Sequence, residues 1–142
     1  MTEPPSAGYL LDSSVLIDVF TRDPVWFEWS SAAIATAWRT SAVFINPIIF
    51  AEVSSTFADL DDCERHLPPS LLRRAPLPYS AGFLAARAFV AYRRRGGAKT
   101  SPLPDFYIGA HAVVQNLTLV TRDASRFSTY FPTLRVVAPQ GN

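Results

Sequence analysis

Four acidic residues stand where carboxylates from distant segments could meet: Asp12 in YLLDSSVLID, Glu52 in NPIIFAEVSS, Asp105 in SPLPDFYIGAHA and Asp123 in LTLVTRDASRF. Carboxylates drawn to one point repel each other, and a hard divalent cation that takes oxygen ligands relieves the repulsion. Mg²⁺ or Mn²⁺ in such a cage lowers the pKa of a bound water, orients it for in-line attack on a phosphodiester and screens the charge that builds on phosphorus.

Each carboxylate also has a plainer role open to it. Asp12 and Asp123 each follow an apolar run and precede a helix, where Asp is a favoured N-cap. Asp105 follows Pro104 at a helix start, where the helix dipole favours a negative charge. Glu52 lies among Ile48, Ile49, Val53 and Phe57, whose three- and four-residue spacing marks an inward helix stripe. A carboxylate there costs several kcal/mol unless it is paired, hydrogen-bonded or metal-bound. A buried ion pair with an arginine is the alternative to a metal at Glu52. Three acids at strand ends or helix starts, with a fourth turned inward, exceed what capping requires. Asp18, Asp23, Asp59, Asp61, Asp62 and Glu64 are read as solvated charges in turns or on polar faces. His66 and His111 lack metal-ligand spacing, and His111 is expected at a core edge or facing a partner.

The elements that must position these acids alternate. Strands are expected at Gly8–Asp12, Ala42–Asn46, Leu117–Thr121 and Leu134–Ala138, as apolar runs without polar alternation. Helices are expected after Asp12, from Asp23-Pro24 through Trp38, and from Asn46-Pro47 to about Phe57. Others are expected from Ser80 to the Gly96-Gly97 stop, with Pro102 and Pro104 preceding one over Asp105–Gln115, and a short turn after Asp123. The stretch from Asp59 to Pro78 shows no clear period, with a short turn or strand at Leu71–Ala75. Buried strands alternating with helices imply an α/β fold with a parallel sheet covered on both faces.

Composition bounds the rest. The chain has 142 residues, 49% hydrophobic and 18% charged, which suits one globular domain with a core at about residues 8–139 and loose tails. No apolar run is long enough to span a bilayer, and MTEPPSAG lacks the pattern of a secretory leader, so a cytoplasmic location is expected. The single cysteine, Cys63, excludes an internal disulfide and a cysteine-based zinc site. Net charge is +1, with a local basic run at Arg93, Arg94, Arg95 and Lys99. An acidic hole repels nucleic acid, so these residues, with Arg122, are the candidates for holding flanking phosphates. Complementing a helix dipole is the other role for the run, and a structural ion pair the other role for Arg122. Trp26, Trp29 and Trp38 share one helix; some must pack in the core, and the remainder could line a groove for a partner helix.

The four acidic motifs, in this order, resemble those of the PIN-domain ribonucleases, and most closely the VapC toxins of bacterial type II toxin–antitoxin pairs. LLDSSVLIDVF is similar to the family's opening strand, FAEVSS to its second motif, SPLPDFYIGAHA to its third and TLVTRDASRF to its fourth. The likeness runs from about Tyr9 to Pro139. It implies a three-layer α/β/α fold with a parallel sheet of four or five strands. It also implies an Mg²⁺- or Mn²⁺-dependent endoribonuclease, a homodimer, and inhibition by a VapB-type antitoxin. On this reading Asp12 and Asp105 are the main metal ligands and Glu52 and Asp123 complete the acidic ring. Ser13 and Thr121 then orient carboxylates and waters, although capping and backbone bonding are equally open to these hydroxyls. Ser13 stands where many relatives have Thr, which keeps a hydroxyl there.

The rivals are a catalytically silent PIN-like module that binds RNA or protein, and a different α/β metal enzyme. An aspartyl-phosphate phosphatase needs a second Asp two residues after the strand-end Asp; this chain has Ser14.

Overall fold

The computed structural model describes residues 5–96 and 103–140, so Lys99, Gly97, Pro102 and the extreme tails lie outside the described residues. Five short strands, β1 (Tyr9–Leu11), β2 (Val43–Ile45), β3 (Arg73–Arg74), β4 (Thr118–Val120) and β5 (Val136–Val137), form one sheet in the order β3-β2-β1-β4-β5. Every pairing is parallel. The linking helices are α1 (Ser13–Phe20), α2 (Phe27–Thr40), α3 (Pro47–Ser54), α4 (Leu60–His66), α5 (Tyr79–Arg94), α6 (Leu103–Val114) and α7 (Ser125–Ser128).

This order places the site. From β1 the chain moves outward to β2 and β3, then returns to lay β4 on the other edge of β1. Crossovers of one hand running both ways cover both sheet faces, which gives the α/β/α arrangement. The strand order reverses between β1 and β4, and an open parallel sheet forms its crevice beyond the carboxyl ends of such a pair. Leu11 pairs with Val120, so the next residues, Asp12 and Thr121, leave the sheet side by side. The two-residue strands β3 and β5 close the edges, where short strands limit unwanted pairing.

Leu10, Leu11, Val15, Ile45, Ile49, Leu119 and Val120 are fully buried and hold α1 and α3 to the sheet. A second cluster joins α5 to α6. Ala81, Ala85 and Ala88 recur at helical spacing and, being small, let α5 approach Phe106 and Ala110 of α6 closely. Gly109 fixes how α6 seats on the segment after α7: a Cβ there would lie 2.5 Å from the Phe131 ring. Since Asp105 is one turn earlier on α6, this contact helps set its position.

Several elements differ from the sequence expectation. Helix α2 begins at Phe27, because residues 24–26 form a turn in which the Asp23 carboxylate accepts the backbone N–H groups of Val25 and Trp26, each at 2.9 Å. Helix α4 occupies part of the stretch without period. It buries only Cys63, and its start is fixed by Asp59, whose carboxylate accepts the Asp62 N–H. Acidic residues in its first turn and basic ones in its last suit the dipole. Asp18, expected in solvent, is 1% exposed; its carboxylate accepts the Ser30 hydroxyl at 2.8 Å and faces Arg122 at 3.4 Å. His111, expected at an edge, is wholly buried.

Candidate active site

Asp12 is held at the end of the sheet by its own backbone, whose N–H donates to the Val120 carbonyl at 2.9 Å and extends the ladder by one residue. Its side chain does not cap α1. Instead Oδ2 accepts two hydroxyls, Ser14 and Thr121, each at 2.8 Å. Thr121, also fully buried, accepts the Asp123 N–H at 3.1 Å, so one hydroxyl ties Asp12 to the start of the Asp123 loop. Burial pushes the Asp12 carboxyl above its ordinary value, with the charge of Asp105 adding to the rise and the two hydroxyls and Arg126 opposing it.

Glu52 projects from α3 and accepts the Ser13 hydroxyl at 2.9 Å. It too is raised, first by burial and then by Asp12 and Asp105. Asp105 lies in the first turn of α6 and is 8% exposed. Arg126, on α7, donates Nε to Asp105 Oδ2 at 3.1 Å and Nη2 to the same oxygen. Asp123 is not the cap of α7 either; its Oδ1 accepts the Ser125 hydroxyl at 2.8 Å. Burial works against the charged form of Arg126, but Asp105, backed by Asp12 and Asp123, outweighs it and raises the guanidinium pKa.

The four carboxylates therefore all lie within electrostatic reach of one guanidinium. Their donor set is all carboxylate oxygen, without sulfur or imidazole, which suits Mg²⁺ or Mn²⁺. Arg126 stands in as the cation that balances them. Among the described residues no three acids, histidines or cysteines are arranged about one point as a metal site requires, and Asp105 is instead paired with Arg126.

Behind the site, a buried network sets the start of α3. Asn46 Oδ1 caps that helix through the Ile49 N–H at 2.9 Å, which directs Nδ2 to His111 Nδ1 at 2.9 Å. His111 must accept there, so its proton is on Nε2, which donates to Gln115 Oε1 at 2.8 Å. Burial lowers the His111 pKa and keeps the ring neutral.

The basic residues divide. Arg93, Arg94 and Arg95 are exposed at the end of α5, with Arg93 over the Phe89 ring and Arg95 over the Tyr130 ring. Arg122 forms the ion pair with Asp18 and lies over Trp26. Trp29 packs against the core, whereas Trp38 is 44% exposed and donates its indole N–H to the Leu71 carbonyl. Sequence reasoning missed Arg126 and Ser14. The signal for Arg126 was its place three residues after Asp123, on the same short turn; that for Ser14 was a hydroxyl two residues past a strand-end acid.

A parallel α/β sheet with acids gathered where its strand order reverses defines the class of fold. The PIN-domain family model matches residues 9–130, and the chain belongs to the PIN-domain family. A search of curated proteins gives no match. Among solved structures, the chain is similar to one in VapBC2 from Rickettsia felis bound to a promoter DNA fragment, with 19% identity and a TM-score of 0.69 over 93% of this chain and 98% of that one. VapBC-1 from nontypeable Haemophilus influenzae gives 15% identity and a TM-score of 0.69 over 92% and 96%. FitAcB from Neisseria gonorrhoeae gives 20% identity and a TM-score of 0.66 over 94% and 99%. Identities this low establish a shared fold.

Proposed function

We propose that this chain is a divalent-metal-dependent endoribonuclease that serves as the toxin of a toxin–antitoxin pair. The observation that supports the reading is that Asp12, Glu52, Asp105 and Asp123 all lie within electrostatic reach of Arg126, beside the carboxyl end of β1 in a PIN-domain chain. Asp12 and Asp105 would hold Mg²⁺ or Mn²⁺, with Glu52 and Asp123 completing the acidic ring. When bound, the ion lowers the pKa of a water and offsets charge on the phosphate. The chain's own groups prepare the rest. Ser14 and Thr121 fix Asp12, Ser13 fixes Glu52, and the His111–Asn46 network holds the helix that carries Glu52. Arg126 keeps Asp105 balanced until another cation arrives. Arg93, Arg94, Arg95 and Arg122 supply positive charge for RNA phosphates.

The toxin assignment draws on the neighbours, which include VapBC and FitAB complexes. A VapB-type antitoxin segment would lie in an apolar groove of about 190 Å³ lined by Leu16, Phe20, Ile34, Trp38 and Leu71. The Ser31 hydroxyl in this groove is buried without a hydrogen-bond partner among the described residues, and a bound segment could supply one. A homodimer within that complex, in the cytoplasm, is part of the same proposal. Among the described residues no helix is long and apolar enough to cross a membrane.

Two observations favour the rival, a silent RNA- or protein-binding module: Arg126 already balances Asp105, and among the described residues no three donors converge. Expression in bacteria and incubation of the purified protein with RNA separate the two. The proposal expects growth arrest relieved by the cognate antitoxin, and RNA cleavage lost in EDTA. Cleavage that persists in EDTA, or none with Mg²⁺ or Mn²⁺, would contradict it.

A further inference from the structure

A cleft of about 430 Å³ opens beside the acidic centre, lined by Ser14, Trp26, Arg122, Asp123 and Arg126. Its far wall is built with care. Trp26 sits at the start of α2, where the Asp23 carboxylate grips its backbone N–H. The Arg122 guanidinium lies 5.8 Å from the Trp26 ring centroid. Arg122 is in turn held from beneath by Asp18, a carboxylate kept 1% exposed although burying it is costly. An indole and a guanidinium are thereby fixed from two separate segments, with one further arginine, Arg126, and a serine along the same cleft. Nucleobases unstacked from a single strand pack on aromatic rings and on guanidinium planes alike, while arginines hold the adjoining phosphates. Volumes of this size accept a small organic group.

We infer that the cleft walled by Trp26 and Arg122 is a nucleotide subsite, in which a base of single-stranded RNA next to the scissile phosphate stacks on the Trp26–Arg122 platform. The inference rests on the ribonuclease reading for the identity of the ligand. It gives the buried Asp18 a purpose, that of positioning Arg122. Stacking is tolerant of base identity, so the subsite favours an unpaired nucleotide and not one sequence.

The test is equilibrium binding of a fluorescent single-stranded RNA of about eight nucleotides, within the usual size of such sites, in EDTA so that nothing is cut. Trp26→Ala should weaken binding roughly 5- to 150-fold, the range expected for one stacked base, and Trp26→Phe should keep most of the affinity. Removing the base at successive positions should weaken the wild-type complex at one position and leave Trp26→Ala unaffected there. Trp26→Ala binding as tightly as wild type, or losing the same factor at every abasic position, would overturn the inference. So would equal affinity of the wild type for all abasic strands, an arm that needs no variant. Because binding is read without metal, absence of cleavage with this pattern intact would contradict the nuclease assignment alone, and normal cleavage without the pattern would contradict the subsite alone.

Discussion

Arg126 directs two donors, Nε and Nη2, onto a single carboxylate oxygen of Asp105, at the point where three other acids are within electrostatic reach. A guanidinium in that place does two things. It makes the acidic centre tolerable without a metal, and it opposes the arrival of one.

Replacing Arg126 by Gln should therefore tighten Mn²⁺ binding and lower the metal-free melting temperature together. The Arg126 side chain is 40% exposed, so solvent screening limits the affinity gain to about tenfold or less. Calorimetric titration with Mn²⁺ reads the first effect and thermal unfolding in EDTA the second. Unchanged Mn²⁺ affinity would show that Arg126 does not compete for Asp105.

Thr121→Val should destabilise the protein although the two side chains are nearly the same shape. The Thr121 hydroxyl is buried, donates to Asp12 and accepts the Asp123 N–H. Losing it strips a partner from a buried carboxylate and from a backbone donor, at a cost of about 1–3 kcal/mol. Urea unfolding checks this, and a loss below the scatter of the method would mean that water replaces the hydroxyl.

How much of this was readable in the chain depends on what kind of signal each part left. The sheet was legible because its strands are apolar runs that end at Asp12, Asn46 and Thr121. The four acids were legible because their motifs sit at strand ends and helix starts. Whether they cap helices was not. Asp12 and Asp123 have the right residue type for caps, and only the hydrogen bonds show their side chains turned elsewhere. Helix α4 was missed because a cap and its end charges hold it, with one buried cysteine to mark a face. Asp18 and His111 were misplaced for a related reason. Each is buried by a partner far along the chain, Arg122 for one and Asn46 for the other, and a local pattern cannot announce a distant partner. Arg126 escaped because a lone arginine on a short turn resembles a surface charge until the fold brings Asp105 to it.

The buried imidazole should make stability fall in mild acid. Burial lowers the His111 pKa below its ordinary 6.5, so as pH drops through that value the unfolded chain takes up a proton that the native state refuses. Stability is thus fully present above about pH 6.5 and is lost as pH falls toward the lowered native pKa. Asp12 and Glu52, whose native pKa values are raised, act in the opposite sense, losing stability as pH rises through their native range. The contribution of His111 is isolated by comparison with His111→Gln, whose side chain can both accept and donate but does not titrate. Urea midpoints of wild type and variant should draw together as pH falls from about 7.5 to about 5.5. Parallel curves would place the titration elsewhere.

If Arg93, Arg94 and Arg95 each hold an RNA phosphate, changing all three to Gln should reduce the slope of log affinity against log salt by about 2, at roughly 0.7 per single-strand contact. Mn²⁺ affinity should not move. An unchanged salt slope would leave Arg93 and Arg95 with their ring contacts and the run with the helix end alone.

The central claim is that the centre built around Asp12 and Asp105 cuts RNA with the help of a divalent ion. Single-turnover cleavage of a single-stranded RNA by purified Asp12→Asn, beside wild type in Mn²⁺ and in EDTA, tests it most directly, with circular dichroism confirming that the variant is folded. The account predicts cleavage by wild type in Mn²⁺, none in EDTA, and a loss of at least about a hundredfold in the variant, the scale on which essential catalytic groups act. A folded Asp12→Asn protein that cleaves at the wild-type rate would contradict it.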